Sequence, residues 1–411
     1  MRSSQKLALA GAFWGGATEA LTVDHLNTAI IAFGAGTIDG SDVYSGASDG
    51  ATVGALFSLN GGQNFSYTTM GEQTGMAIPL STAGGADDSG VVVGGCFGVG
   101  YSMDKGATWH PAKGLSKDFT PGPSTPLQTQ DVKYEKAAGT WAVTGQFFGK
   151  PGVALAPTAD ADFTVVNVPP ELLVEPYVRY GAVPEKDTIF VTAGDWVEDD
   201  EAKPEAKPEA KGGDKRRMFK GLSVGKDGKA RRLAALKEEG GEKPTMSDFP
   251  WGQVLKSSDG GASWSVVYND TNVTGLYAND ISCYDKDTCV FVLDGTNTPF
   301  ASVIASTTNG GADWTMYETE SPAGPGNGLY TVRMVGPTEA WAAGSDGTAG
   351  RGAPEEGQLW HSTDLKTWEM FSVASNDGAI ITGFAADPTN SFAYASGYMS
   401  NNLCSVLKFT F

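Results

Sequence analysis

One short phrase recurs along this chain and constrains its fold more than any other feature. Its frame is Ser-x-Asp-x-Gly-x-Ser/Thr-Trp, filled completely by Ser102, Asp104, Gly106, Thr108 and Trp109 and again by Ser257, Asp259, Gly261, Ser263 and Trp264. Thr307, Asn309, Gly311, Asp313 and Trp314 form a copy with one-step substitutions, as do Ser58, Asn60, Gly62, Asn64 and Phe65. Ser362, Asp364, Lys366, Thr367 and Trp368 make a copy one residue short, and Ala156 to Phe163 reads as a decayed one. Each copy stands between two short apolar runs, such as Gln253-Val254-Leu255 and Ser265-Val266-Val267-Tyr268. That arrangement predicts a β-hairpin at every copy. The Asp or Asn oxygen accepts from N–H groups of its own turn, and the Gly takes a positive φ. The Trp buries a broad apolar face at the start of the outgoing strand. Oxygens so committed make poor catalytic groups.

The motif resembles the Asp-box, or bacterial neuraminidase repeat, of β-propellers. It occurs in sialidases, sortilin-type receptors, xyloglucan-hydrolysing enzymes and photosystem II assembly-factor propellers. The resemblance implies an all-β propeller of four-stranded blades and leaves function open. The box residues fall at Asn60, Asp104, about Thr158, Asp259, Asn309 and Asp364, mostly one blade apart at roughly 40–55 residues. A segment from Ile380 to Phe411 offers three strands without a box, and Ala20-Leu21-Thr22-Val23 can supply the missing fourth. Seven blades closed by the two ends of the chain are the expectation, since closure hides open sheet edges.

The doubled interval between Thr158 and Asp259 holds a charged insertion over 199–248, in which Ala-Lys-Pro-Glu repeats from Ala202 to Lys211. Such composition buries no core. Residues 203–243 carry 13 of the 29 Lys and Arg and 7 of the 48 Asp and Glu, leaving 16 basic against 41 acidic residues elsewhere. A net charge of −19 excludes nucleic acid as an expected partner, because a phosphate backbone needs a basic face. It suits a cationic partner. Met1 to Ala20 reads as a signal or leader segment, with a basic start, a short apolar stretch and small residues. Residues 21–411 then form the propeller, interrupted by the insertion. A secreted or lumenal location follows, extracellular first and plastid lumen second. Cys283 and Cys289 bracket a short turn and are expected to form a disulfide, while the pairing of Cys96 and Cys404 stays open. Asn64, Asn269 and Asn272 lie in glycosylation sequons.

Aligning the blades by their boxes places Asp49, Asp195, Asp294 and Asp346 at comparable positions in the loop after the second strand, with Trp196 beside Asp195. A partial ring of carboxylates at the channel mouth would bind a cation or a cationic peptide. Alternatively, Asp195, Asp294 and Asp346 would supply the acid and base of a glycoside hydrolase. Ordinary turn chemistry explains the same residues. Sialidase chemistry calls for an arginine cluster, yet only Arg2, Arg179, Arg333 and Arg351 lie outside the insertion. His25, His110 and His361 are isolated, and no metal or other cofactor is expected. Three phrases, Gly328-Leu329-Tyr330, Trp341-Ala342-Ala343-Gly344 and Leu359-Trp360-His361-Ser362-Thr363-Asp364, look most like the photosystem II assembly-factor propellers. That likeness implies a non-catalytic lumenal scaffold that docks a membrane-protein partner; a monomer with a protein or glycan ligand is the broader expectation. The basic patch by which those factors dock has no counterpart outside the insertion.

Overall fold

The computed structural model describes residues 4–5, 22–28, 31–37, 42–48, 51–60, 63–71, 74–76, 78–85, 90–115, 127–173, 177–194, 252–269, 276–295, 302–319, 328–345, 357–373, 380–387, 392–398 and 404–410. For 4–5, 22–28, 31–37, 276–277, 294–295, 372–373, 380, 382, 384–387, 392–398 and 404–410 it describes the backbone alone.

These residues form seven four-stranded antiparallel blades, with no α-helix among them. Blade 1 comprises Ile31–Thr37, Val43–Ser48, Val53–Ser58 and Ser66–Thr69. Blade 2 comprises Ile78–Gly84, Val91–Cys96, Gly98–Ser102 and His110–Pro111. Gln128–Glu135, Thr140–Phe147, Lys150–Ala156 and Thr164–Asn167 make blade 3. Val178–Glu185, Thr188–Ala193, Gln253–Ser257 and Ser265–Asn269 make blade 4. Leu276–Cys283, Cys289–Gly295, Val303–Thr307 and Thr315–Glu318 make blade 5. Gly328–Met334, Ala340–Ser345, Gly357–Ser362 and Glu369–Val373 make blade 6. In blade 7, Ile380–Asp387, Phe392–Tyr398 and Cys404–Thr410 are joined by Thr22–Thr28 as the outermost strand.

The first strands of successive blades touch one another around a complete ring, from blade 1 through blade 7 and back. They therefore wall the centre. The closing strand runs Thr22↔Thr410 to Thr28↔Cys404, so the fourth strand of blade 7 begins two residues later than Ala20 and extends further. Ser4–Gln5 adds to its free edge. In blade 4, Ala193 pairs with Gln253, so the strands flanking 195–251 are direct neighbours. The charged insertion itself lies outside the described residues.

The core is packed between blades, as each sheet is apolar on both faces. Val143 and Phe147 of blade 3 belong to one buried cluster, while Ala142 and Val153 of the same blade pack with Val183 and Ile189 of blade 4. The second strands have no exposed residues in Val91–Cys96, Thr188–Ala193 and Ala340–Ser345. Such runs lose the alternation of a half-buried strand because both faces are covered.

The repeated turns join third to fourth strands and tie one blade to the next. In the second copy, Ser257 Oγ donates to Asp259 Oδ1 at 2.8 Å and accepts from Gly261 N at 2.8 Å. Asp259 Oδ1 and Oδ2 accept from Ser263 N and Oγ at 2.8 and 2.6 Å. Those bonds hold the Asp259 carboxyl at about 2. Gly261 has φ +92°, and a Cβ there would lie 1.9 Å from Val166 of the preceding blade. Glycine is required on both counts. Trp314 Nε1 donates to Val267 O of blade 4 at 3.0 Å and its ring meets Phe291 edge-on at 4.7 Å. In the short copy, Leu365 (φ 60°) stands where Gly does elsewhere, donates its N–H to Ser362 Oγ at 2.8 Å, and sinks its side chain into the core. The decayed stretch keeps a bond from Thr158 Oγ1 to Asp160 Oδ1, a turn bond from Ala161 N to Thr158 O at 3.1 Å and a buried Phe163.

Cys283 and Cys289 are joined by a disulfide across the first hairpin of blade 5. Cys96 is a free thiol, pushed up to about 11 by burial in blade 2. Asn64 and Asn269 are exposed, and Asn272 lies outside the described residues.

Candidate functional site at the centre of the ring

Chain direction sorts the connections between two faces. Turns from first to second and from third to fourth strands share one face, which therefore carries the repeated turns. Second-to-third turns and blade-to-blade connections share the other. Asp49, Asp195 and Asp346 follow second strands in sequence toward that second face, but they and Trp196 lie outside the described residues. Asp294 is within the second strand of blade 5, backbone-paired with Tyr277, and its side chain is likewise not described. The expected ring of Asp49, Asp195, Asp294 and Asp346 therefore lies outside the described side chains.

What is described at the centre is a different set of residues. Every first strand slips register against its second strand: between Pro79 and Ser81, Thr129 and Asp131, Val178 and Gly181, Ala278 and Ile281, Leu329 and Thr331, Ile381 and Gly383, and Phe33 and Gly36, with a second slip in blade 4 between Ala182 and Glu185. An extra residue in one strand bends it and re-aims the neighbouring side chains. Here the residues at the slips face inward, since Leu80 and the polar Gln130, Tyr180, Asp280 and Tyr330 all line the central cavity.

An ion network forms the floor. Lys133 of blade 3, 8% exposed, places Nζ 2.8 Å from Asp131 Oδ2, 2.7 Å from Asp280 Oδ1 of blade 5, and within 2.8 Å of the carbonyls of Gly181 and Ile281. Asp280 Oδ2 accepts from Thr331 Oγ1 at 2.9 Å, Val332 N at 3.0 Å and Arg333 NH1 at 2.6 Å, all from blade 6. Asp131 Oδ1 accepts from Ser81 Oγ of blade 2 at 3.4 Å and Asp131 Oδ2 from Gly181 N of blade 4 at 3.3 Å. Five consecutive blades are therefore joined through two carboxylates, one ammonium and one guanidinium. Burial opposes ionisation of Asp280, but Arg333 and then Lys133 outweigh it and hold the carboxyl below its ordinary range. Glu135 differs. Burial dominates there and pushes its carboxyl up, although Lys133 and the Val183 N–H at 3.0 Å oppose the shift.

Above the floor, Tyr177 Oη and the Gln130 side-chain amide are hydrogen-bonded. Burial raises the Tyr180 phenol to about 12, so it stays a neutral donor. The cavity lined by Gln130, Tyr180 and Tyr330 with Asp131, Asp280 and Arg333 is about 20 Å³, room for one water molecule. Asp131 and Asp280, both ion-paired, are not a free acid and base in this geometry. Among the described residues no group of His, Cys, Asp and Glu is arranged to hold a metal ion.

Solved structures share this architecture. A structure titled "YCF48 bound to D1 peptide" superposes with a TM-score of 0.54 at 11% identity, covering 95% of this chain and 97% of the other. The fold is a β-propeller. The GH74 xyloglucanase of Xanthomonas campestris superposes with a TM-score of 0.52 at 12% identity, with 89% of this chain matching 50% of that enzyme. At such identities the likeness is one of fold. No protein-family model matches the sequence, and no curated protein matches it.

The sequence reading missed Asp131, Lys133 and Asp280. A signal was present: each is a charged residue inside an otherwise strand-like run, as in Gln128-Thr-Gln-Asp-Val-Lys-Tyr.

Proposed function

We propose that this propeller is a non-catalytic binding and scaffolding module that docks a segment of another protein, in the manner of an Asp-box assembly-factor propeller. The observation that carries the reading is the commitment of Asp131 and Asp280 to Lys133 and Arg333. A glycoside hydrolase needs two carboxyl groups roughly 5–10 Å apart with space for a sugar or water between them. The described centre instead holds ion-paired carboxylates and a one-water cavity. End-to-end likeness to a propeller solved with a peptide bound supports a peptide-like ligand. The disulfide and the two exposed sequon asparagines fit a secreted or lumenal module. Acidic excess in the chain favours a ligand segment of opposite charge.

The test is a parallel screen of the full chain against a tiled peptide array and a polysaccharide panel that includes xyloglucan. Saturable peptide capture without release of reducing sugar is the expected result. Release of reducing sugar, abolished in Asp195→Asn or Asp294→Asn, would replace this reading with the hydrolase.

A further inference from the structure

The outermost strand of blade 7 differs from those of the other six. Thr22–Thr28 runs for seven residues, whereas the fourth strands of blades 1 to 6 run for two to five. Native sheets keep their edges short because an open edge is a template for another strand. This edge is long, and among the described residues it is the one outermost strand that carries a further strand. Ser4–Gln5 lies against it antiparallel, with Ser4 opposite Asp24 and Gln5 opposite Val23. Main-chain pairing of this kind holds an extended segment with little demand on its side chains. The composition around the seated strand adds a charge preference. Arg2 and Lys6 flank Ser4–Gln5, and the edge strand itself carries Asp24 and no Lys or Arg. Outside 203–243 the chain holds 16 basic against 41 acidic residues, so a basic segment is drawn to it.

We infer that the outer edge of Thr22–Thr28 is a strand-docking site for a short basic segment of a partner protein, occupied in this chain by its own Ser4–Gln5. The partner segment is extended, pairs antiparallel and brings Lys or Arg beside the paired residues, as Arg2 and Lys6 stand beside Ser4–Gln5. Cleavage of the leader read at Met1 to Ala20 removes the resident strand and opens the edge. That the occupant is a protein segment rests on the docking reading, and its place rests on the strand pairing.

A fluorescent peptide of Met1 to Ala8 is the probe, and the full chain is compared with its Ser4→Pro, Gln5→Pro double variant. Proline has no N–H to give to a ladder, so the variant frees the edge without shortening the chain. Anisotropy should show saturable binding to the variant and binding at least tenfold weaker to the wild type, where the resident strand competes. Methylating the peptide nitrogens of its fourth and fifth residues should weaken binding to the variant at least tenfold. Replacing its two basic residues by glutamate should do the same. Equal affinity for the two chains, no loss on N-methylation, or no saturable binding to either chain overturns the inference. Indifference to the glutamate replacement overturns the choice of a basic partner. A tiled array of basic peptides then separates the edge from docking in general. Capture that favours the variant supports the edge, and equal capture by both chains keeps protein docking but removes it from this edge. Should the variant fail to fold, the N-methyl contrast on the wild-type chain at higher peptide concentration decides.

Discussion

Asp280 shows how one residue can bind two blades by being satisfied from both. Its two oxygens accept four donors from blades 3 and 6, so removing it takes from Arg333 the carboxylate that NH1 pairs with and from Lys133 one of its two carboxylates. Breaking a buried pair by deleting one partner costs about 3–5 kcal/mol, and Asp280→Ala should lose that much by denaturant titration. Glu135 should behave oppositely. Its folded-state carboxyl titrates above its ordinary 4.5, so ionisation on the way to neutral pH destabilises the native state. Below about pH 4.5 the penalty is absent, and it grows as pH rises through the raised value. Glu135→Gln keeps an acceptor for Val183 N–H and should raise the melting temperature at pH 7 while leaving it unchanged near pH 4. A lower melting temperature at pH 7 would show that its charge stabilises the network. None of these roles was legible in the sequence, because the partners of Asp280 lie on other blades. A register slip of one residue, which no periodicity reveals, decides which side chain faces inward.

At the scale of the hairpin, the sequence spoke clearly. Ser, Asp, Gly and Trp at fixed offsets describe local bonds, and local bonds form wherever the spacing recurs. Ser102 is fully buried and accepts from Gly106 N at 2.8 Å. Ser102→Ala leaves that N–H unsatisfied and should cost about 1–3 kcal/mol. The carboxyls of Asp259 and Asp364 are both held at about 2, against an ordinary 3.8. Hydrogen bonds from Ser263 dominate in the first and the Thr367 N–H in the second. With folded values depressed, their stabilisation is complete above about pH 4 and is lost as pH falls from there toward 2. An acid titration followed by circular dichroism should show a stability loss in that window, made shallower by Asp259→Asn together with Asp364→Asn. The expected ring of Asp49, Asp195, Asp294 and Asp346 rested on the same hairpin ruler, and a ruler of local turns says nothing of whether carboxylates from different blades converge.

For the molecule as a whole, closure was readable from arithmetic: three strands at one end of the chain and one spare near the other. The pairing of Thr22–Thr28 with Cys404–Thr410 turns an open arc into a ring. Without it, the third strand of blade 7 presents an unpaired edge, a template for association with other chains. Deletion of residues 22–28 should therefore lower the melting temperature and produce concentration-dependent oligomers by light scattering. A monomeric, equally stable deletion would show that the ring holds without its clasp.

The clasp also sets a timetable. Thr22 pairs with Thr410, so the outer strand of blade 7 has no inner partner until the roughly 390 residues between them have been made. Blades 1 to 6 each draw their four strands from one continuous stretch and can form in turn, whereas the seventh waits for Cys404–Thr410. Contacts between residues this distant in sequence are slow to form. Until they do, the N-terminal strand stays unpaired while the molecule is being made.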